Sequence, residues 1–551
     1  MTQITQGFDI AFVESDWSSC KAYPEALTLS NAVHSAQKSS NLLPSRQPPA
    51  VRTLVNDPSA TMSFQVAGQS ISASLTRILT LFLFWKLLLL LLAASSPGPG
   101  YDTSATLLLP ELDEQRYPSP PSKASARVLN RLVRWDSLHF IGVAQHGERY
   151  EQDRAWGWLY TTILKASAQG SLHNVNDMTK IPAKYLVASH TVPPLPLSYA
   201  APLFGARLSH FFHLLSTLTL FLLTYTVLPG DITWRRSTAF VAACLFIVSP
   251  AGIFLSAPYS ESVFAFFNFA GILFISQLRP RSGSLPDTCK QTCFTISSGI
   301  LFAIACMIRG NGLLSVLVYI EPGLALLKEL VAGSLRLSVL IKLLGVGIAC
   351  LITLLGYAFP QILAYSKYCE RGVRRPWCDN LIPSIYTFVQ ERYWNVGFLK
   401  YWTLSNLPLF LIALPMLGIM LSTGIACLVG RPIMAKYTPI NATDQNELVV
   451  QRVPVPNSLR YMALPQVALA ILALTNFHVQ IINRLSSGYP LWYIILAIAI
   501  TSAQPEQPQA QDTTISATYL SNTRTQKWLV RGMIMYAMIQ GGLFASFLPP
   551  A

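Results

Sequence analysis

The 551-residue chain is 52% hydrophobic and only 12% charged, about half the ~25% charged residues of a soluble globular domain. Its apolar residues gather in runs near the ~20 residues that cross a bilayer, which excludes a soluble multi-domain protein and predicts a polytopic membrane protein. A net charge of +14 does not indicate nucleic acid, because Lys and Arg are scattered between hydrophobic runs instead of being collected on one face.

Residues 1–74 are polar and rich in Ser, Asn and Pro, and predict a mobile cytosolic arm ahead of a transmembrane domain over 75–551. The first apolar run, Ile78 to Ala94 with six consecutive Leu, lies too far into the chain for a cleavable signal peptide and reads as a signal anchor. Ser95-Ser-Pro-Gly-Pro-Gly100 ends it, and a large loop over 96–203 follows. Within this loop, Ala126 to Gly147 predicts an amphipathic helix. At about 100° per residue, Leu129, Leu132, Val133, Phe140 and Val143 form its apolar stripe, opposite Arg127, Asn130, Arg131, Arg134 and Gln145. Asp136 interrupts the stripe. An acid there either pairs with a neighbouring Arg or serves chemistry.

Further spans are expected at about 204–228, 237–256 and 259–278, joined through loops carrying Arg235, Arg236, Arg279, Arg281 and Lys290, which the positive-inside rule puts in the cytosol. Arg309-Gly-Asn-Gly312 supplies turn residues that split the next run into spans ending at Ile308 and beginning at Leu313. The split places Arg309 at the luminal surface instead of mid-membrane. A span at about 340–362 leads into a second large luminal loop, 363–403, where Cys369 and Cys378 would meet an oxidising compartment and are a candidate disulfide pair. Spans at about 404–430, 461–478, 488–503 and 527–547 bring the total to about eleven crossings. The sequon Asn441-Ala-Thr443 falls in a cytosolic loop on this topology and stays unglycosylated.

The luminal side then collects Asp136, His139, Glu151, Trp156, Tyr259, Ser260, Glu261, Arg309, Asn311, Gln390, Trp394, Asn395, His478, Gln480, Asn483 and Arg484. Asp136 suits a general base that takes the proton of an attacking sugar hydroxyl. Glu261 is either a helix N-terminal charge or a ligand group. Arg309 is either a helix cap or a bidentate partner for a lipid phosphate at the interface, with Asn311 and two glycines beside it for close backbone approach. His210 and His213 lack a completing ligand, so the sequence offers no metal set. It also has no Walker A loop, GxSxG elbow or HExxH motif. The absence of Asp-x-Asp argues against a metal-dependent enzyme using a soluble nucleotide sugar.

Several blocks together resemble the GPI mannosyltransferase 2 family. They are Arg134-Trp-Asp-Ser-Leu-His-Phe140, Ala144-Gln-His-Gly147 and Tyr150-Glu151, Ser249-Pro-Ala-Gly-Ile-Phe254 and Ser256 to Ser262, Arg309 to Gly312, Arg375-Pro-Trp-Cys378, Tyr393 to Phe398, and His478 to Pro490. The resemblance runs from about residue 126 to the C-terminus. It implies an all-α GT-C glycosyltransferase of the endoplasmic reticulum membrane, active on its luminal side and needing no cofactor. Such an enzyme moves mannose from dolichyl-phosphate-mannose onto the GPI precursor, α-1,6-linked and with inversion, alongside a small accessory membrane subunit. By motif position, Asp136 matches the acid of the family's Trp-Asp pair, Glu151 the acid of its Tyr-Glu pair and Arg309 the Arg of its Arg-Ser-Asn-Gly turn. Joined to the luminal set, this makes Asp136 the expected catalytic base with Glu151 and Glu261 as rivals, Arg309 and Asn311 the expected donor-phosphate site, and His139, Trp156, Tyr259, Gln390, Trp394, Asn395, Asn483 and Arg484 the expected sugar contacts. Gly310 stands where the family pattern has Ser, and Asp153-Arg-Ala-Trp156 is more charged than that pattern. Two other classes remain open on sequence: a GT-C mannosyltransferase acting on N-glycan precursors or protein, and a lipid transporter, although no internal repeat favours the latter.

Overall fold

The computed structural model describes residues 58–97, 103–109, 120–167, 197–278, 284–333, 336–370, 375–431, 434–441, 444–502 and 523–548. Most of the expected N-terminal arm, Arg279, Arg281 and the sequon residues Ala442 and Thr443 lie outside them. Contacts divide the chain into a unit Met1–Ala73 and a unit Ser74–Ala551. In the first, only the opening turns of helix α1 (Pro58–Ser95) are described.

The second unit is a helical bundle. After α1 come α2 (Pro120–Leu132), α3 (Asp136–His146), α4 (158–167), α5 (Ala200–Val227), α6 (Ile232–Ile247), α7 (Glu261–Ile275) and α8 (Leu285–Ile308). A 3-10 helix Gly310–Tyr319 leads into α9 (Ile320–Val331), followed by α10 (Leu337–Tyr365), α11 (Ile385–Arg392), α12 (Leu407–Leu428), α13 (Asn457–Thr475), α14 (Leu491–Ser502) and α15 (Thr523–Ala545). Between α12 and α13, β1 (Met434–Asn441) and β2 (Asp444–Val453) pair antiparallel, Met434 opposite Val453, in a stretch expected to be loop.

Among the described residues, six helical stretches are long and apolar enough to cross a membrane, or seven counting the pair Val479–Gly488 and Leu491–Ser502, bent by 76°. The eleven expected crossings are not all matched by length and hydropathy: α6 with 16 residues, α7 with 15 and α9 with 12 are short, and α15 is not apolar enough. Many large apolar side chains stay exposed on the long helices, among them Leu83, Leu87 and Leu91 on α1, Leu351, Leu355 and Ile362 on α10, and Leu411 and Leu414 on α12. In water such a surface would aggregate; against acyl chains it is the solvated face. Pro360, Pro415 and Pro465 lie inside α10, α12 and α13, as membrane helices tolerate once neighbours satisfy the freed carbonyls.

Local chemistry sets the boundaries. Asp231 caps α6 by accepting from Thr233 N at 2.9 Å, and Ser284 caps α8 by accepting from Asp287 N at 3.3 Å. α8 stops at Ile308, and the returning 3-10 helix lies directly on its last turn. A Cβ on Gly312 would sit 2.7 Å from Cys306 N, so only glycine fits. The Arg309 to Gly312 stretch thus breaks the run where the sequence places the break.

The single amphipathic helix expected over Ala126 to Gly147 is two. α2 ends at Leu132, the chain passes through Trp135 at φ 54°, and α3 starts at Asp136. The apolar stripe, expected to lie on the membrane interface, is instead buried within the protein. Arg134, expected on the opposite face, is buried as well, because the break turns it inward.

Candidate active site

The break before α3 puts Asp136 in the first turn of that helix, where a negative charge faces the positive helix end. Glu261 has the equivalent place on α7. Ahead of it, the turn 249–260 is pinned by side chains from two other helices: Lys86 Nζ donates to Leu255 O at 2.7 Å and Ser256 Oγ at 2.8 Å, and Ser209 Oγ donates to Ala257 O at 2.6 Å. Arg309 follows the last residue of α8, and Arg484 stands on a one-turn helix, Ile482–Leu485, before α14.

These four charges form one continuous network. Arg484 Nη1 is 2.7 Å from Asp136 Oδ2, and Arg484 Nε is 2.8 Å from Glu261 Oε1. Arg309 Nη1 is 2.7 Å from the same Glu261 oxygen and donates to Ser260 Oγ at 3.0 Å. Arg309 Nε donates to Asn311 Oδ1 at 3.3 Å, and Asn311 Nδ2 donates to Tyr489 Oη at 3.4 Å. The Arg484 guanidinium also lies over the rings of Phe254 and Tyr259, 5.0 and 5.5 Å from their centroids.

The two carboxylates differ in access. Glu261 is 2% exposed and held by both guanidiniums, whereas Asp136 is 24% exposed and held by one. Among the described residues neither Arg309 Nη2 nor Arg484 Nη2 has a hydrogen-bond partner. Two neighbouring cations with open donors beside a partly accessible carboxylate suit an anionic leaving group and a proton acceptor in one place.

The matching family model is a mannosyltransferase (PIG-V) model covering residues 75–551. The chain belongs to the PIG-V mannosyltransferase family. It is 35% identical to GPI mannosyltransferase 2 of Chaetomium globosum over 493 residues, 86% of this chain and 96% of that one. With GPI mannosyltransferase 2 of Aspergillus oryzae it shares 34% over 483 residues, 85% and 94% of the two chains. GPI alpha-1,6-mannosyltransferase 2 of Rattus norvegicus is 29% identical over 439 residues, 70% and 78% of the two chains. No solved structure matches.

In this PIG-V mannosyltransferase, aromatic side chains flank the network. His139, one turn along α3 from Asp136, stacks on Trp156 at 4.8 Å and 15°, and Trp156 meets Trp394 at 4.9 Å. Burial holds the His139 pKa below the usual histidine value, outweighing the opposite pull of Asp136 and Asp153. His478 Nε2 lies 3.1 Å from Trp394 O, and its ring stacks on Tyr401 at 4.8 Å. Gly157 lets the chain after Trp156 run against the end of α8 at φ 79°, where a Cβ would collide with Ile308 O.

Other expected site residues are held elsewhere. Glu151 is not in the network: its Oε1 accepts from Trp377 Nε1 at 3.4 Å and lies 3.2 Å from Arg375 Nε. Trp377 neighbours Cys378, whose disulfide to Cys369 is formed as expected. Glu151 therefore staples the first loop to the second. Asn483 Nδ2 donates to Ile412 O at 3.4 Å, a link between helices. Tyr259 is fully buried and donates to Arg134 O at 2.9 Å, which makes it the floor under Arg484. Asn395 is exposed at φ 50°, a turn conformation that Asn tolerates. Gln390 accepts from Val396 N through its backbone carbonyl at 2.9 Å and so closes the same turn.

Gly310 and Gly312 do not open room for a ligand, contrary to expectation; Tyr386 and the backbone of α8 occupy it. The extra charge of the Asp153 to Trp156 stretch is absorbed locally. Asp153 Oδ2 accepts from Arg149 N and Tyr150 N at 2.9 Å, and Arg154 pairs with Glu148 at 2.6 Å. Sequence reasoning passed over Tyr489, whose only signal is its place in the block ending at Pro490. Arg484 was expected to touch sugar; its pairing with Asp136 spans 348 residues, and nothing in the sequence announces it.

Proposed function

We propose that the chain adds the second mannose, α-1,6-linked, to the GPI precursor in the lumen of the endoplasmic reticulum, taking it from dolichyl-phosphate-mannose. The observation that carries this reading is the Asp136, Arg484, Glu261, Arg309 network in a chain similar to GPI mannosyltransferase 2 over nearly its whole length. In this reading the donor phosphate lies against the open Nη2 atoms of Arg309 and Arg484, with Asn311 fixing the first guanidinium. The acceptor hydroxyl gives its proton to Asp136 as its oxygen bonds to the anomeric carbon on the face opposite the phosphate. The carbon–phosphate oxygen bond breaks, dolichyl phosphate departs with the electron pair, and β becomes α.

A phosphate needs no protonation to leave, so one base suffices. Glu261, shared by both guanidiniums, sets their spacing. The stacked His139, Trp156 and Trp394 provide apolar ring faces for sugar, with His139 neutral at the pH of transfer. The bilayer supplies both substrates laterally, and a small accessory membrane subunit completes the assembly.

The test is mannose transfer from labelled dolichyl-phosphate-mannose in microsomes of cells depleted of the protein. A one-mannose GPI intermediate should accumulate on depletion and be consumed on re-expression. Normal GPI with truncated N-glycans would move the substrate to another lipid-linked glycan, and absence of transfer with intact protein would end the enzymatic reading.

A further inference from the structure

The C-terminal end of α15 meets the break that precedes Asp136. Phe547 N donates to Phe544 O at 3.0 Å and Leu548 N to Leu543 O at 2.9 Å, the hydrogen-bond pair of a Schellman ending in which the residue at Phe547 adopts a left-handed conformation. Glycine is the usual occupant of that position, yet here it is a Phe at φ 58°. The other side of the contact repeats the anomaly, since Trp135 is held at φ 54° and ψ −124°. Positive φ in two aromatic residues is unfavourable and persists only where the surroundings enforce it.

What enforces it is their mutual packing. The Phe547 ring is 5.3 Å from the Trp135 ring, and the Arg134 guanidinium lies 4.7 Å from its centroid. Phe547 is 1% exposed. One turn back, Phe544 packs on Phe254 at 5.2 Å and on Tyr259 at 5.8 Å, and these two rings lie beneath Arg484. The Arg134 carbonyl accepts from Ser137 Oγ at 2.7 Å and from Tyr259 Oη at 2.9 Å. The end of α15 thus touches both sides of the Asp136 to Arg484 pair without touching either charge.

We propose that Phe547 is a positioning residue for mannose transfer: its ring, seated on Arg134 and Trp135, holds the helix break that aims Asp136 at Arg484. The proposal rests on the reading of Asp136 as the base. The two truncations Phe547→Gly and Phe547→Ala lose the same ring contact but differ in how well they suit the left-handed position, which separates backbone strain from positioning. Glycine suits the left-handed position better than Phe, so Phe547→Gly should relieve backbone strain at the end of α15 while releasing the break.

The experiment compares Phe547→Gly, Phe547→Ala and Phe547→Tyr in purified, detergent-solubilised protein, measuring thermal unfolding, kcat and the KM for dolichyl-phosphate-mannose. Expected is a loss of about 10- to 100-fold in kcat for Gly and Ala, the scale of a small misplacement of a catalytic group, with KM within about twofold. Both truncations remove a buried ring and should lower the unfolding temperature, Gly less than Ala because the left-handed position favours it, while the two lose kcat alike; Tyr should restore kcat. In an Asp136→Asn background, Phe547→Gly should lower the residual rate no further. Full activity of the Gly variant, a fall in its folded fraction matching its loss of rate, or an undiminished effect in the Asp136→Asn background overturns the proposal. Separately, parental activity of Asp136→Asn itself removes the base reading and the inference with it.

Discussion

Glu261 and Glu151 are both buried carboxylates that meet an arginine, and they do different things. Glu151 pairs with Arg375, whose side chain is 46% exposed, and with the indole of Trp377. Water screens that pair, and its worth is the attachment of one loop to another. Glu261 is shared between two guanidiniums that are 14% and 15% exposed. Little water reaches it, so each charge there depends on the others, and removing one leaves its partners buried and uncompensated. The residue type predicts neither role; the exposure of the partner does.

That contrast can be broken at several points. The largest effect is expected for Asp136→Asn, which keeps shape and hydrogen bonding but removes the proton acceptor: mannose transfer should fall about 10²- to 10⁴-fold with protein level and membrane insertion unchanged. An active variant in the microsome assay would sink the assignment. Glu261→Ala should act mainly on stability, by about 3–5 kcal/mol, read as a lowered unfolding temperature or loss of protein. Glu261→Gln, retaining two hydrogen-bonding atoms, should recover part of it.

Arg309→Lys keeps the charge but cannot serve Glu261, Ser260 and Asn311 with one planar group. A rise of about tenfold in the KM for dolichyl-phosphate-mannose is expected, and an unchanged KM would move the phosphate to Arg484 alone. Glu151→Gln should cost under about 1 kcal/mol and leave kcat near the parent, which separates the staple from the network.

The smallest effect concerns pH. The folded protein holds the His139 pKa below its unfolded value, so the unfolded chain binds more protons as pH drops through the unfolded pKa. Stability from this group is present above that value and lost below it. His139→Gln should flatten the fall in unfolding temperature between about pH 7 and pH 5, and an unchanged slope would assign it to other groups.

Much of the molecule was legible in advance because its causes are local. Apolar runs of membrane length, the glycines after Arg309 and the Pro-Gly stretch after Ser95 each act over a few residues, so helices and their ends could be placed from them. The close pair Cys369 and Cys378 could be joined for the same reason. The stripe of Leu129, Leu132, Val133, Phe140 and Val143 is apolar as read, but it is buried inside the protein instead of lying on a membrane interface, and it is not continuous. A positive φ at Trp135 is a cost no local preference would choose, and Phe547, more than 400 residues on, packs on Trp135 and on the neighbouring Arg134 to enforce it.

By itself, then, the sequence determined that this is a helical membrane mannosyltransferase. It also gathered Asp136, Glu261, Arg309, Asn311 and Arg484 among its polar residues. Hydrophobicity and turn chemistry suffice for the helices and residue type for the luminal polar set, because each is a property of a short stretch; the mannosyltransferase follows only from the motif blocks that resemble the family. Only the tertiary structure decided that Arg484 binds both acids, that Glu151 belongs to the disulfide loop, and that Asp136 opens a helix instead of interrupting one. Those outcomes depend on which charges are taken out of water together, a quantity fixed by packing between segments hundreds of residues apart.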